Sequence, residues 1–149
     1  MTKAQGQPIV ILMADDDADD RMLTRDALEE SRVLNELRFV EDGEELMDYL
    51  LRRGKFENSD DAPRPGLILL DLNMPKKDGR EALREIKADA SLRRIPIVVM
   101  TTSKAEEDIF RSYDLGASSF ITKPVTFDRL VELMRALGEY WVEFVELPD

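Results

Sequence analysis

LILLDLNMPKKDG, residues 67–79, is the stretch whose reading decides the fold. Four apolar residues, Leu67, Ile68, Leu69 and Leu70, run without polar alternation into a single carboxylate, Asp71. A strand with one wet face alternates apolar and polar residues. An unbroken run instead implies a strand covered on both faces, as in a parallel sheet between two layers of helices. Asn73, Pro75 and Gly79 then mark a loop. Asp71 is therefore expected where a central parallel strand ends, the edge at which open α/β sheets place ligands and chemistry.

The flanking segments repeat the pattern. Residues 8–14 (PIVILMA) form a buried apolar run that breaks into ADDDADD, after which Met22, Leu23, Ala27 and Leu28 recur at helical spacing. A helix is expected from near Asp17 to about Arg32, then a short strand at residues 37–40 and a helix carrying Leu46, Met47, Leu50 and Leu51. Residues 54–65 read as a polar surface loop of about a dozen residues. After the central strand come a helix with Leu83, Ile86 and Ala90, and a strand over residues 95–100 ending in Thr101-Thr102-Ser103. Ser103 with Glu106 fits a capping box for a helix stopping at Gly116. Residues 118–122 make a fifth strand closed by Lys123-Pro124, and Thr126 caps the last helix. Alternating strands and helices predict α/β architecture: a doubly wound five-stranded parallel sheet with helices on both faces.

Composition narrows the chemistry. With 149 residues, 43% hydrophobic and 36% charged, the chain reads as one soluble domain over residues 1–149, with a core at about 8–138 and a short C-terminal extension at about 139–149. A net charge of −11 argues against binding nucleic acid or anionic membranes. No apolar run is long enough to span a bilayer and no signal-peptide pattern opens the chain, so a cytoplasmic location is expected. The absence of Cys and His removes disulfides, thiolate metal sites, imidazole catalysis and the usual zinc sites. Chemistry here must run on carboxylates, hydroxyls, Lys and a hard cation.

Those groups gather at the strand ends: Asp15 and Asp16 after the first strand, Asp71 after the third, Thr101 after the fourth, Lys123 after the fifth. Parallel strands bring these ends to one edge. Three carboxylates together repel one another unless a cation sits among them, and Mg²⁺, which takes a few oxygen ligands and keeps waters, suits the set. Lys123 and Thr101 supply a charge and a hydroxyl for phosphate oxygens, and a carboxylate can act as nucleophile to form an aspartyl phosphate. Asp71, presented singly by the central strand, is the best nucleophile candidate; Asp15 and Asp16 read better as metal holders. Asp17, Asp19 and Asp20 need no role beyond complementing a helix N-terminus.

Asp15-Asp16, Asp71 within DLNMPKKDG, Thr101 and Lys123-Pro124 together resemble the receiver domain of two-component response regulators, and the likeness covers nearly the whole chain. The resemblance implies a flavodoxin-like receiver fold and a phosphoacceptor in a phosphorelay. It implies that Asp71 takes a phosphoryl group from a histidine kinase, that Asp16, Asp71 and the Asn73 carbonyl bind Mg²⁺, and that Asp15 reaches the metal through water. Thr101 and Lys123 would bind phosphoryl oxygens, with Phe120 rotating inward as Thr101 shifts. Thr102, where the family often has Ala or Gly, and Ser103 are gating candidates beside the pocket.

Three segments, DLNMPKKDGREALREIKAD, RRIPIVVMTTS with AEEDIFRSYDLGA, and GEYWVEFVELPD, are similar to stand-alone regulators paired with bacterial and cyanobacterial phytochromes, which are commonly homodimers. The region from Leu130 to Leu147 carries about twice the apolar residues that one helical face of a small domain needs. Trp141 and Phe144 either fold back on their own core or join a self-association surface. Self-association through the last two helices and the fifth strand is the expectation, with Phe127, Met134, Trp141 and Phe144 as contact candidates. A Mg²⁺-dependent phosphohydrolase with an Asp nucleophile is the competing function. Asp15 and Asp17 imitate its usual acid pair, but the loop around Asp71 fits it poorly.

Overall fold

The computed structural model describes residues 9–32, 35–58, 60, 62–101, 114, 116–123 and 126–146, with backbone alone at 101 and from 137 on. The five expected strands are present: β1 (Val10–Ala14), β2 (Glu36–Val40), β3 (Leu67–Asp71), β4 (Ile97–Thr101) and β5 (Ser119–Thr122). All neighbours pair in parallel, in the order β2-β1-β3-β4-β5, so β3 is the middle strand. The helices are α1 (Ala18–Ser31), α2 (Gly43–Leu51), α3 (Gly79–Ala88) and α4 (Phe127–Glu146). The helix expected between β4 and β5, with its Ser103–Glu106 cap, falls outside the described residues, apart from Asp114 and Gly116.

Strand side chains alternate between faces, and both faces are dry. Leu12, Ala14, Ile68, Leu70 and Val99 pack with Leu46, Met47, Leu83 and Ile86 from α2 and α3. Ile11, Met13, Leu67, Leu69 and Val98 pack with Ala27 and Leu28 from α1 and with Leu130, Val131 and Met134 from α4. The unbroken run in β3 thus feeds two cores at once. Burying each Leu or Ile contributes on the order of 2 kcal/mol, and every residue of the middle strand is buried.

Helix starts follow the carboxylates. Asp17 caps α1 by accepting from the backbone N–H groups of Asp19 and Asp20, Asp42 caps α2, and Asp78 with Glu81 forms a capping box on α3. The segment at 54–65 is less of a surface loop than its polarity suggests. It opens with a 3₁₀ turn (Gly54–Phe56), and Phe56 meets Tyr49 edge-on at 5.1 Å between centroids. The Tyr49 hydroxyl donates to the Pro63 carbonyl at 2.8 Å, and Ala62 is fully buried. A few apolar residues pin the loop over α2, a signal that composition averages away.

Candidate functional site

The carboxyl edge of the sheet gathers the candidate residues. Asp71 ends β3 in register with Met100, and Thr101 ends β4 in register with Thr122, so Asp71, Thr101 and Lys123 follow from three adjacent strands. Asp15 leaves β1 with its N–H bonded to the Val40 carbonyl, while Arg21 Nη1 donates to the Asp15 carbonyl at 2.8 Å. These bonds fix the turn that carries the first acidic pair.

Asp15 is fully buried and Asp71 is 6% exposed, whereas Asp16 faces solvent. Oxygens of Asp15, Asp16 and Asp71 lie within 4.8 Å of one another, close enough for one ion to touch all three. The set is all oxygen, which fits a hard divalent cation. One oxygen of each buried carboxylate is tied to backbone: Asp17 N–H donates to Asp15 Oδ1 at 2.9 Å, and Asn73 N–H donates to Asp71 Oδ1 at 3.0 Å. The second oxygens face Lys123, whose Nζ lies 2.7 Å from Asp15 Oδ2 and 3.5 Å from Asp71 Oδ2.

A third carboxylate also meets the lysine. Asp20 Oδ2 accepts from Lys123 Nζ at 2.8 Å. Its sequence reading as a helix-dipole residue was therefore incomplete. Asp20 is in the first turn of α1, one helical step past the capping Asp17, and its carboxylate points back across the sheet edge. The signal was available in principle, because the helix N-terminus that receives the acidic run sits beside the end of β5.

Burial dominates the electrostatics. Desolvation pushes Asp71 from 3.8 up to about 6, the Asp15 charge adding to it and the Asn73 N–H and Lys123 opposing it. Asp15 is raised for the same first reason despite its bond to Lys123. Burial pulls Lys123 down, but the bonds to Asp15 and Asp20 outweigh it and hold the ammonium above the ordinary lysine range. The pocket is thus short of positive charge, and a divalent ion among the carboxylates would relieve it.

Other candidates fall less uniformly. Asn73 lies exposed on the loop after β3. Phe120, half-buried on β5 opposite Val99, packs against the core on the α2–α3 side of the sheet. Thr102 and Ser103 lie outside the described residues, as do the side chains of Thr101, Trp141 and Phe144. Met134 is a correction. At 1% exposure it belongs to the chain's own core, because it follows Leu130 by one helical turn and faces β1, β3 and β4. It is not available to a second copy. Phe127, 36% exposed at the start of α4, is. Asp17, the proposed acid of the hydrolase alternative, is occupied as the α1 cap, and nothing in the geometry supports that reading.

The chain is similar to known proteins over most of its length. A family model described as the response regulator receiver domain matches residues 11–135. Response regulator Rcp1 of Synechocystis sp. is 43% identical over 148 residues, spanning 99% of each chain. The crystal structure of its Mn²⁺-bound form superposes with a TM-score of 0.81 at 42% identity, covering 95% of this chain and 100% of that one. The phosphorylated cyanobacterial phytochrome response regulator RcpA gives 0.81 at 45% identity, covering 93% and 96%.

Proposed function

The chain belongs to the response regulator receiver family, and from that premise we propose that Asp71 is its phosphoacceptor and a phytochrome-type histidine kinase its donor. The observation that carries this assignment is Asp71 itself: a nearly buried carboxylate at the end of the middle strand, 3.5 Å from Lys123 Nζ and within 4.8 Å of Asp15 and Asp16 oxygens. The kinase class is supported by the likeness to Rcp1 and to the phytochrome regulator RcpA.

Asp71 Oδ2, the oxygen not held by Asn73, attacks the phosphorus of a phosphohistidine; the P–N bond breaks, the imidazole leaves, and an acyl phosphate forms on Asp71. In this reading Lys123, whose Nζ is 3.5 Å from that oxygen, takes up charge on the incoming oxygens, and the Thr101 backbone lies on the neighbouring strand. Asp15, Asp16, Asp71 and the Asn73 carbonyl are the proposed ligands of Mg²⁺, which when bound offsets carboxylate and phosphoryl charge. Thr101 and Phe120 form the proposed switch, with Thr102 and Ser103 gating access.

We further propose one receiver unit whose last helix continues past the family match at 135 to Glu146. In this reading α4, β5 and Phe127 serve a homodimer, and the protein is cytoplasmic and catalyses nothing beyond its own phosphoryl transfer and loss. Among the described residues no helix is long and apolar enough to cross a membrane. A net charge of −11 disfavours direct contact with nucleic acid.

Intact mass after incubation with acetyl phosphate and Mg²⁺ tests the central assignment. One phosphoryl adduct, labile to hydroxylamine and absent in Asp71→Asn, is expected. No adduct from acetyl phosphate or from a phosphorylated phytochrome kinase overturns it, and multiple turnover of phosphate esters would revive the hydrolase.

A further inference from the structure

The unusual member of the site is Asp20. Its backbone is pinned on both sides: its N–H donates to the capping Asp17 at 3.2 Å, and its carbonyl accepts from Thr24 Oγ1 at 2.9 Å. The carboxylate is thereby aimed at Lys123, 2.8 Å away and 103 residues distant in the chain. An ammonium has three protons. Asp15 takes one at 2.7 Å and Asp20 another at 2.8 Å, while Asp71 Oδ2, at 3.5 Å, is beyond a strong bond. Asp20 is also the carboxylate on Lys123 that lies outside the Asp15–Asp16–Asp71 group able to share a cation. When that group is neutralised, Asp20 keeps its charge on the lysine.

We propose that Asp20 is a positioning residue that holds the Lys123 ammonium between α1 and the acceptor Asp71 and, by keeping part of its charge, limits how tightly the site grips a phosphoryl group. The inference rests on Asp71 as the acceptor. A phosphoryl group on Asp71 brings two negative charges to the lysine and competes with Asp20 for it. The Asp20 side chain is 36% exposed, so its carboxylate can turn to water at small cost while Asp15, buried, cannot. Asp20 is thus the partner that yields. A carboxylate in this place lowers phosphoryl affinity, whereas a neutral acceptor of the same shape would orient the ammonium without competing for its charge.

Asp20→Asn keeps the acceptor oxygen and removes the charge. Beryllofluoride, a phosphoryl mimic, titrated calorimetrically at saturating Mg²⁺, is expected to bind Asp20→Asn about three- to tenfold tighter than wild type. The gain should shrink between about 50 and 500 mM NaCl, because the Asp20 carboxylate is partly open to solvent and screened. A merely structural role for Asp20 predicts weaker binding without such salt dependence. Asp20→Gln, which keeps an amide oxygen for the ammonium and carries no charge, provides a second variant should Asp20→Asn fold poorly, and the same direction is expected. Wild-type binding with unchanged or weaker affinity in the variants overturns this inference alone. Wild-type protein that takes up no beryllofluoride overturns the receiver assignment and this inference with it.

Discussion

Lys123 Nζ meets the Asp15 carboxylate at 2.7 Å across 108 residues of chain, with both side chains buried. The pair ties the end of β5 to the end of β1, although β3 and β4 stand between them in the sheet. Removing one partner of a buried pair leaves the other charged and unsatisfied. Lys123→Met keeps the stem and deletes the charge. It should destabilise the divalent-free protein at pH 7 by about 3 kcal/mol in urea unfolding. Acidification should return part of the loss, because Asp15, already raised by burial, takes up a proton more readily in the folded state than in the unfolded chain. Wild-type stability in the variant would mean that the pair is solvated.

Asp71 makes the opposite kind of prediction. Its folded value of about 6 stands above the ordinary 3.8, so the folded state binds the proton more tightly than the unfolded chain. Ionising Asp71 therefore costs stability; the cost is complete above about pH 6, diminishes as pH falls through 6, and is gone below about 4. Asp71→Asn removes that cost. Without divalent ions the variant should be more stable than wild type at pH 7.5 by about 1–2 kcal/mol, below the cap of about 3 set by the displacement, because water reaches the site. The two unfolding curves should converge near pH 4. A variant less stable than wild type at pH 7.5 would show that the Asp71 carboxylate is a net stabiliser.

Three oxygens within 4.8 Å also predict how the protein responds to cation. A divalent cation held by this set, Mg²⁺ in the proposed reading, would bind the folded state and not the unfolded chain, so at ten times its dissociation constant it should add about 1.4 kcal/mol and raise the melting temperature by several degrees. Asp16→Asn should abolish most of this shift with little change in the metal-free melting temperature, since Asp16 is exposed. Differential scanning fluorimetry with and without EDTA makes the comparison. An undiminished Mg²⁺ shift in Asp16→Asn would remove Asp16 from the ligand set.

The sheet and the position of Asp71 were legible because both are written locally. An apolar run without alternation demands two covered faces, and Leu67–Asp71 has them. Asp15, Asp16 and Lys123 were legible because parallel topology turns strand ends into neighbours. Asp20 was not, because its partner lies across the sheet edge and its local role at a helix start already accounted for it. Met134 misled because an apolar residue in a crowded helix reads the same whether it faces its own core or a second chain; only the direction of the α4 stripe distinguishes them.

Gly79 sets the last test, because it ties the loop chemistry to backbone geometry. Its N–H donates to the Leu72 carbonyl at 3.1 Å, and a Cβ there would come within 2.4 Å of the Asp71 carbonyl oxygen and 2.7 Å of Leu72 Cα. Neither atom is the end of a flexible side chain, so the start of α3 or the end of β3 must move. Gly79→Ala should cost roughly 2–3 kcal/mol, as overpacking of a tight contact does. It should also slow phosphoryl uptake from acetyl phosphate at least tenfold by shifting Asp71 itself. Gly54→Ala is the control: its φ of +60° makes alanine unfavourable by about 1 kcal/mol, but the nearest atom to its Cβ is the carboxylate of Asp48, on α2, at 3.3 Å. Uptake should stay at the wild-type rate there. Equal rates in both variants would mean that the close approach of Gly79 supports the fold without setting the position of Asp71.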